Sequence, residues 1–138
     1  MERNETITIP SDIAEIPQVS ARLEELLRAH AFQDDDILDT QLAVEEAITN
    51  TIIHGYADRP GTVTITLHAS PGTVEIEIAD EAIPFNPLLR EEPDTTLPIE
   101  ERQIGGLGIF LIRRIMNDVS YEFRDGKNIL TLVKKKKS

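Results

Sequence analysis

Three short stretches of this sequence carry residues whose types and spacing could do chemistry. In "VEEAITNTIIHGY", Val44 to Tyr56, Glu46 and Asn50 stand four residues apart. On a helix that interval brings two side chains onto one stripe, about 6 Å apart along the axis. Ala43 and Ala47 continue the stripe and leave room beside it. A carboxylate, an amide oxygen and open space at the margin of a buried face suit a hydrated Mg²⁺ or a polar ligand. They equally suit a solvated polar edge, and Glu45 with Thr49 makes a second pair at the same interval.

In "IADEAIPFNP", Asp80 closes an alternating segment just before an abrupt turn at Pro84. A carboxylate at a strand end can orient a ligand's amino group or cap the turn. "GGLGIFLIRR" places Gly105, Gly106 and Gly108 at the mouth of a helix, where unpaired N–H groups point outward and a phosphate can come close. A tight turn before a helix would use the same glycines.

The elements that must position these residues follow from periodicity. "ETITI" alternates and stops at Pro10, which predicts a first strand suited to a sheet edge. Pro17 opens a helix that keeps its spacing through Val19, Leu23, Leu26, Leu27 and Ala31. "QDDD", Gln33 to Asp36, supplies capping carboxylates for a second helix from about Ile37 to His54, ended by Gly55. Its wheel groups Leu38, Leu42 and Ile53 on one side, with Ile37, Val44, Ile48 and Ile52 nearby. "TVTITLHAS" and "TVEIEIAD" predict a hairpin joined by Ser70, Pro71 and Gly72, and "VSYEF" and "NILTLV" predict another bridged by Arg124, Asp125, Gly126 and Lys127. Between Glu81 and Ile104 lie Pro84, Pro87, Pro93 and Pro98 with many acids, a loop longer than compact domains carry without a functional reason. The order β, α, α, β, β, loop, α, β, β implies an α+β two-layer sandwich, a mostly antiparallel sheet with the helices on one face.

A length of 138 residues fits one domain. Fourteen Lys plus Arg against 25 Asp plus Glu give a formal charge of −11, which argues against a surface for nucleic acid or anionic lipid and favours a basic partner. Lys134 to Lys137 read as the start of a solvated basic tail, 134–138. Without cysteine there is no disulfide framework, and no apolar run is long enough to span a bilayer, so a cytoplasmic protein is expected.

Taken together and in this order, "EEAITNTIIHGY", "DEAIPFNP" and "GGLGIFLIRRIMNDVSYEF" resemble the N, G1 and G2 boxes of the Bergerat-type ATP-binding fold of histidine kinases, gyrase B and Hsp90. Within it they look most like the small anti-sigma serine/threonine kinases of the RsbW and SpoIIAB type, a resemblance covering about Ile37 to Val133. It implies ATP and Mg²⁺, with Asn50 as metal ligand, Glu46 as general base and Asp80 as acceptor for the adenine amino group. Ala82 and Phe85 would lie at the nucleotide, Gly105, Gly106, Leu107 and Gly108 at its phosphates, and residues from about 88 to 104 would form a lid. The resemblance also implies partner switching between a sigma factor or analogous effector and a STAS-domain antagonist, and a homodimer. Ala82 stands where the G1 box usually has glycine; its methyl would crowd the adenine or forbid a positive φ. A non-catalytic binding module on the same fold is the alternative reading.

Overall fold

The computed structural model describes residues 2–57, 59–84 and 104–136, and for residues 104–109 the backbone. Five strands form one sheet in the order β1-β2-β3-β5-β4: β1 Arg3–Pro10, β2 Thr62–Ser70, β3 Thr73–Asp80, β4 Asp118–Arg124 and β5 Lys127–Lys135. Every neighbouring pair is antiparallel. The helices are α1 Ile16–Ala29, α2 Asp34–Asn50 and α3 Ile104–Ile115. This is the α+β class that the element order implied.

The sheet is one-sided because its strands alternate. Val63, Ile65, Leu67 and Ala69 of β2, with Val74, Ile76 and Ile78 of β3, are buried at 1% exposure or less, among Val19, Leu23, Leu26 and Leu27 of α1 and Val44 and Ile48 of α2. The opposite face is polar, with Thr6 opposite Thr66 and Thr66 opposite Glu77. Tight turns fix both hairpin registers. Ser70 pairs with Thr73 across Pro71 and Gly72, whose φ is 80°, and Arg124 pairs with Lys127 across Asp125 and Gly126, at φ 56° and 78°. Positive φ at these positions is what a hairpin turn of two residues requires. Pro10 lies in β1, an edge strand, where its missing N–H leaves no gap in the ladder.

Local structure departs from the sequence reading in four places. The first helix ends at Ala29, and Ala31, placed in its apolar spacing, has φ 62° beyond it. The second helix starts at Asp34 rather than Ile37, with Gln33 as an N-cap that makes no side-chain bond. Its three acids therefore sit inside the first turn, where they complement the helix dipole instead of capping it. Gly55 does not stop that helix; the chain widens into a π-helical segment, Thr51–Tyr56, and leaves at Ala57, φ 56°. Finally, Leu38, Leu42 and Ile53 are 65%, 40% and 46% exposed, and the buried arc runs instead through Ile37, Thr40, Ala43, Val44, Ala47 and Ile48. Helix α2 packs against both α1 and α3, so its covered arc is centred on the small residues that let neighbouring helices approach.

Lys134 is also not part of a solvated tail. It is 7% exposed and belongs to β5, on the same face as Leu130 and Leu132. Its ammonium donates to the carbonyl of Ile115 at 2.5 Å and stands 4.0 Å from Asp36 and 3.7 Å from Asp39. One buried cation thus ties the end of α3 and the first turns of α2 to the sheet. Lys137 and Ser138 lie outside the described residues, as does most of the Pro-rich loop. Among the described residues, no helix is long and apolar enough to cross a membrane.

Lys134→Ala should lower stability by about 2 kcal/mol, the scale of a hydrogen bond to a charged group. The check is a lower midpoint in urea at unchanged slope; an unmoved midpoint would contradict the assigned role.

Candidate functional site

Asp80 is the last residue of β3, and the alternation that buries Val74, Ile76 and Ile78 turns it to the same face, 8% exposed. A carboxylate held there requires donors. Its Oδ1 accepts the Ala82 N–H at 2.9 Å and the Asn128 Nδ2 at 2.9 Å. Its Oδ2 accepts the Thr51 hydroxyl at 3.3 Å. Asn128 stands opposite Asp80 in the β3–β5 register. Its amide also donates to the carbonyls of Ala82, at 3.2 Å, and Ile83, at 3.3 Å, and accepts from the Tyr121 hydroxyl of β4.

The end of α2 forms the facing wall. Asn50 is its last residue, and its side-chain oxygen is buried yet has no hydrogen-bond partner among the described residues. A buried amide oxygen in that condition costs about 1–3 kcal/mol unless something else donates to it or is ligated by it. Between the walls lies a cleft lined by Ala47, Asn50, Thr51, Asp80, Ala82 and Asn128, among others, with about 410 Å³ of empty space including its open mouth.

Tyr56, at the end of the π-helical segment, holds the turn after β3 in place. Its hydroxyl accepts the Glu81 N–H at 2.8 Å and donates to the Thr62 carbonyl at 2.7 Å. Room for the ring depends on Gly61, where a Cβ would fall 2.3 Å from Tyr56 Cε1. Ala82 is 7% exposed and does not have a positive φ. Its backbone therefore accepts alanine without strain, and the methyl finds its space against Gly55, where a Cβ would approach to 3.2 Å.

The structure thus brings Asn50, Asp80 and Ala82 onto one cleft. Glu46 lies one turn before Asn50 on α2, half-buried and outside the cleft lining. Gly105, Gly106, Leu107 and Gly108 are in the first turns of α3, which packs on α2. Phe85 and residues 88–103 lie outside the described residues. Thr51, Tyr121 and Asn128 were missed in the sequence. Asn128 had a signal: it shares a strand face with Leu130 and Leu132, and a polar side chain on a core-facing row needs a partner or a task. Among the described residues no three His, Cys, Asp or Glu side chains group as a metal cage. The buried Asn50 oxygen is the hard ligand available to an ion that takes most of its shell from water and phosphate, and in that respect the site fits Mg²⁺.

A helix-covered antiparallel sheet, with a polar-floored cleft between its second helix and the ends of its central strands, defines an α+β two-layer fold with one candidate ligand site. Residues 9–134 match the family model described as a histidine kinase-like ATPase domain, and the chain belongs to that family. It is similar to the serine-protein kinase RsbW of Bacillus cereus (strain ATCC 10987 / NRS 248), 31% identical over 94% of this chain and 85% of the relative. It is 30% identical, over the same shares, to the serine-protein kinase RsbW of Bacillus thuringiensis (strain Al Hakam). The crystal structure of the RsbU and RsbW domains of Rv1364c from Mycobacterium tuberculosis superimposes with a TM-score of 0.69 at 20% identity. That match covers 97% of this chain and 32% of the other, and it bears on the fold alone.

Tyr56→Phe should remove one donor and one acceptor from the backbone of Glu81 and Thr62, at a cost of about 1–3 kcal/mol. Urea denaturation together with the amide chemical shift of Glu81 tests this; an unchanged midpoint and shift would mean that the hydroxyl holds nothing.

Proposed function

We propose that this chain is an ATP-dependent protein serine/threonine kinase that also sequesters a sigma factor or analogous effector, and that it phosphorylates a STAS-domain antagonist of that capture. The observation that carries the reading is that Asn50, whose buried side-chain oxygen has no hydrogen-bond partner among the described residues, lines one cleft with Asp80. Family membership and the kinase names of the Bacillus relatives support it. The formal charge of −11 suits a basic effector face and disfavours direct nucleic-acid or membrane contact. A homodimer in the cytoplasm is part of the same proposal.

In this reading Asp80 Oδ2 receives the adenine amino group, with Ala82 and Phe85 beside the base. Asn50 gives its oxygen to Mg²⁺, and the N-terminal amides of α3, around Gly105, Gly106, Leu107 and Gly108, meet the phosphates, where a helix start favours negative charge. The metal, when bound, neutralises phosphate oxygens. Glu46, one turn before Asn50 on α2, would meet an acceptor that arrives from a separate protein. It takes the proton of the incoming serine hydroxyl as that oxygen bonds to the γ-phosphorus and the bond to the bridging oxygen breaks, releasing ADP. Most of the rate would come from positioning and charge neutralisation, so the placement of Asn50 and Asp80 matters as much as the base.

Glu46→Gln should keep ATP affinity within about threefold while slowing phosphoryl transfer to a STAS-domain serine by about 100-fold or more. Asn50→Ala should make ATP binding insensitive to added Mg²⁺. Calorimetry and labelled-phosphate transfer read both variants. A wild-type protein that binds no ATP at millimolar concentration would leave only a non-catalytic binding module, and Glu46→Gln transferring at the wild-type rate would remove Glu46 as the base.

A further inference from the structure

The far wall of the cleft contains a relay that the proposed chemistry does not use: the hydroxyl of Tyr121 to the amide of Asn128, and that amide to Asp80. We infer that Asn128, oriented by Tyr121, is a positioning residue that sets nucleobase specificity by fixing how Asp80 meets the ligand. The inference rests on the proposed ATP reading and extends it to two residues that contribute nothing to the metal or the phosphates.

The argument starts from the donor and acceptor inventory. An amide has an oxygen that only accepts and a nitrogen that only donates, and the two are interchanged by rotating the group. At Asn128 the hydroxyl of Tyr121 donates to the oxygen, so the nitrogen must face the other way. There it meets Asp80 Oδ1 at 2.9 Å and the carbonyls of Ala82 and Ile83. The same Oδ1 already accepts the Ala82 N–H. Two donors therefore hold Oδ1, and the carboxylate is pinned against rotation. Oδ2, on a residue that lines the cleft, keeps the Thr51 hydroxyl at 3.3 Å, a long bond, as its partner among the described residues. Asn128 is 6% and Asp80 8% exposed, so the bond between them is shielded from water, and its loss would not be readily compensated.

A carboxylate oxygen presented alone can only accept. It rewards a base carrying an exocyclic amino group at that position and opposes one carrying a carbonyl, because two acceptors then face each other in a desolvated place. Adenine has the amino group; hypoxanthine and guanine have a keto oxygen. Pinning sharpens the distinction, since a freely turning carboxylate could swing away from the carbonyl and relieve the repulsion. The clamp on the Ala82 and Ile83 carbonyls acts in the same direction by fixing the turn that forms the lip of the cleft.

The experiment measures dissociation constants of ATP and inosine triphosphate, which differ at the six-position, for the full chain with Mg²⁺. Wild type should prefer ATP by about 100-fold or more, as sites built around a hydrogen bond do. Asn128→Ala should weaken ATP by about tenfold and leave inosine triphosphate within about threefold, so that the preference narrows. Tyr121→Phe, which keeps the ring and removes only the hydroxyl, should narrow it by about threefold, and adding it to Asn128→Ala should change nothing further, because both act through one chain of bonds. If Asn128→Ala does not fold, Tyr121→Phe alone decides. A wild-type preference retained in the variants, an equal loss of both nucleotides, or additive effects in the double variant would each overturn the inference while leaving the kinase reading intact. Absence of ATP binding to the wild type would overturn both.

Discussion

The carboxylate of Asp80 is the constraint around which the cleft end of the molecule is arranged. Strand alternation sends it inward with three aliphatic neighbours, and a charge in that position must be met by donors. They come from four parts of the chain: the turn after β3, the start of the π-helical segment, β5 and, through Asn128, β4. These parts are remote in sequence and can converge only if the sheet order places β5 beside β3 and the second helix runs across them. Satisfying one carboxylate thus ties the local chemistry to the topology.

Much of the architecture is legible because it rests on short-range rules. The two alternating segments "TVTITLHAS" and "TVEIEIAD" coincide with β2 and β3, and positive φ lets Pro-Gly turn β2 into β3 and Asp-Gly turn β4 into β5. The face of α2 was harder to read. An ideal wheel treats Leu38 and Leu42 as core because leucine is apolar, but burial depends on what packs against the helix, and two neighbours close around Ala43, Val44 and Ala47. The π-helical segment compounds the difficulty, because its wider turn ends the regular advance of 100° per residue at Asn50, so the wheel cannot place Ile53.

The site was legible to a similar depth. Asn50 is visible from its four-residue interval to Glu46 and Asp80 as a polar residue at a strand end, and the structure places Asn50 and Asp80 on one cleft. Their partners were not visible, since Thr51, Tyr121 and Asn128 acquire meaning only from cross-strand register and from the way α2 unwinds. Ala82 shows the same limit from the opposite side. Its tolerance depends on Gly55, twenty-seven positions earlier, which supplies the space its methyl needs.

Strand β5 is polar at both extremities of its inward row and aliphatic between them: Asn128, Leu130, Leu132, Lys134. At one extremity the amide engages the carboxylate of β3; at the other, some 20 Å along a strand rising about 3.4 Å per residue, the ammonium engages the last carbonyl of α3. The strand is therefore indexed twice. A slip of one residue would turn both polar groups to the threonine-lined side, and a slip of two would carry each past its mate. Aliphatic rows alone tolerate such a two-residue sliding error, since one leucine replaces another; the paired polar termini do not.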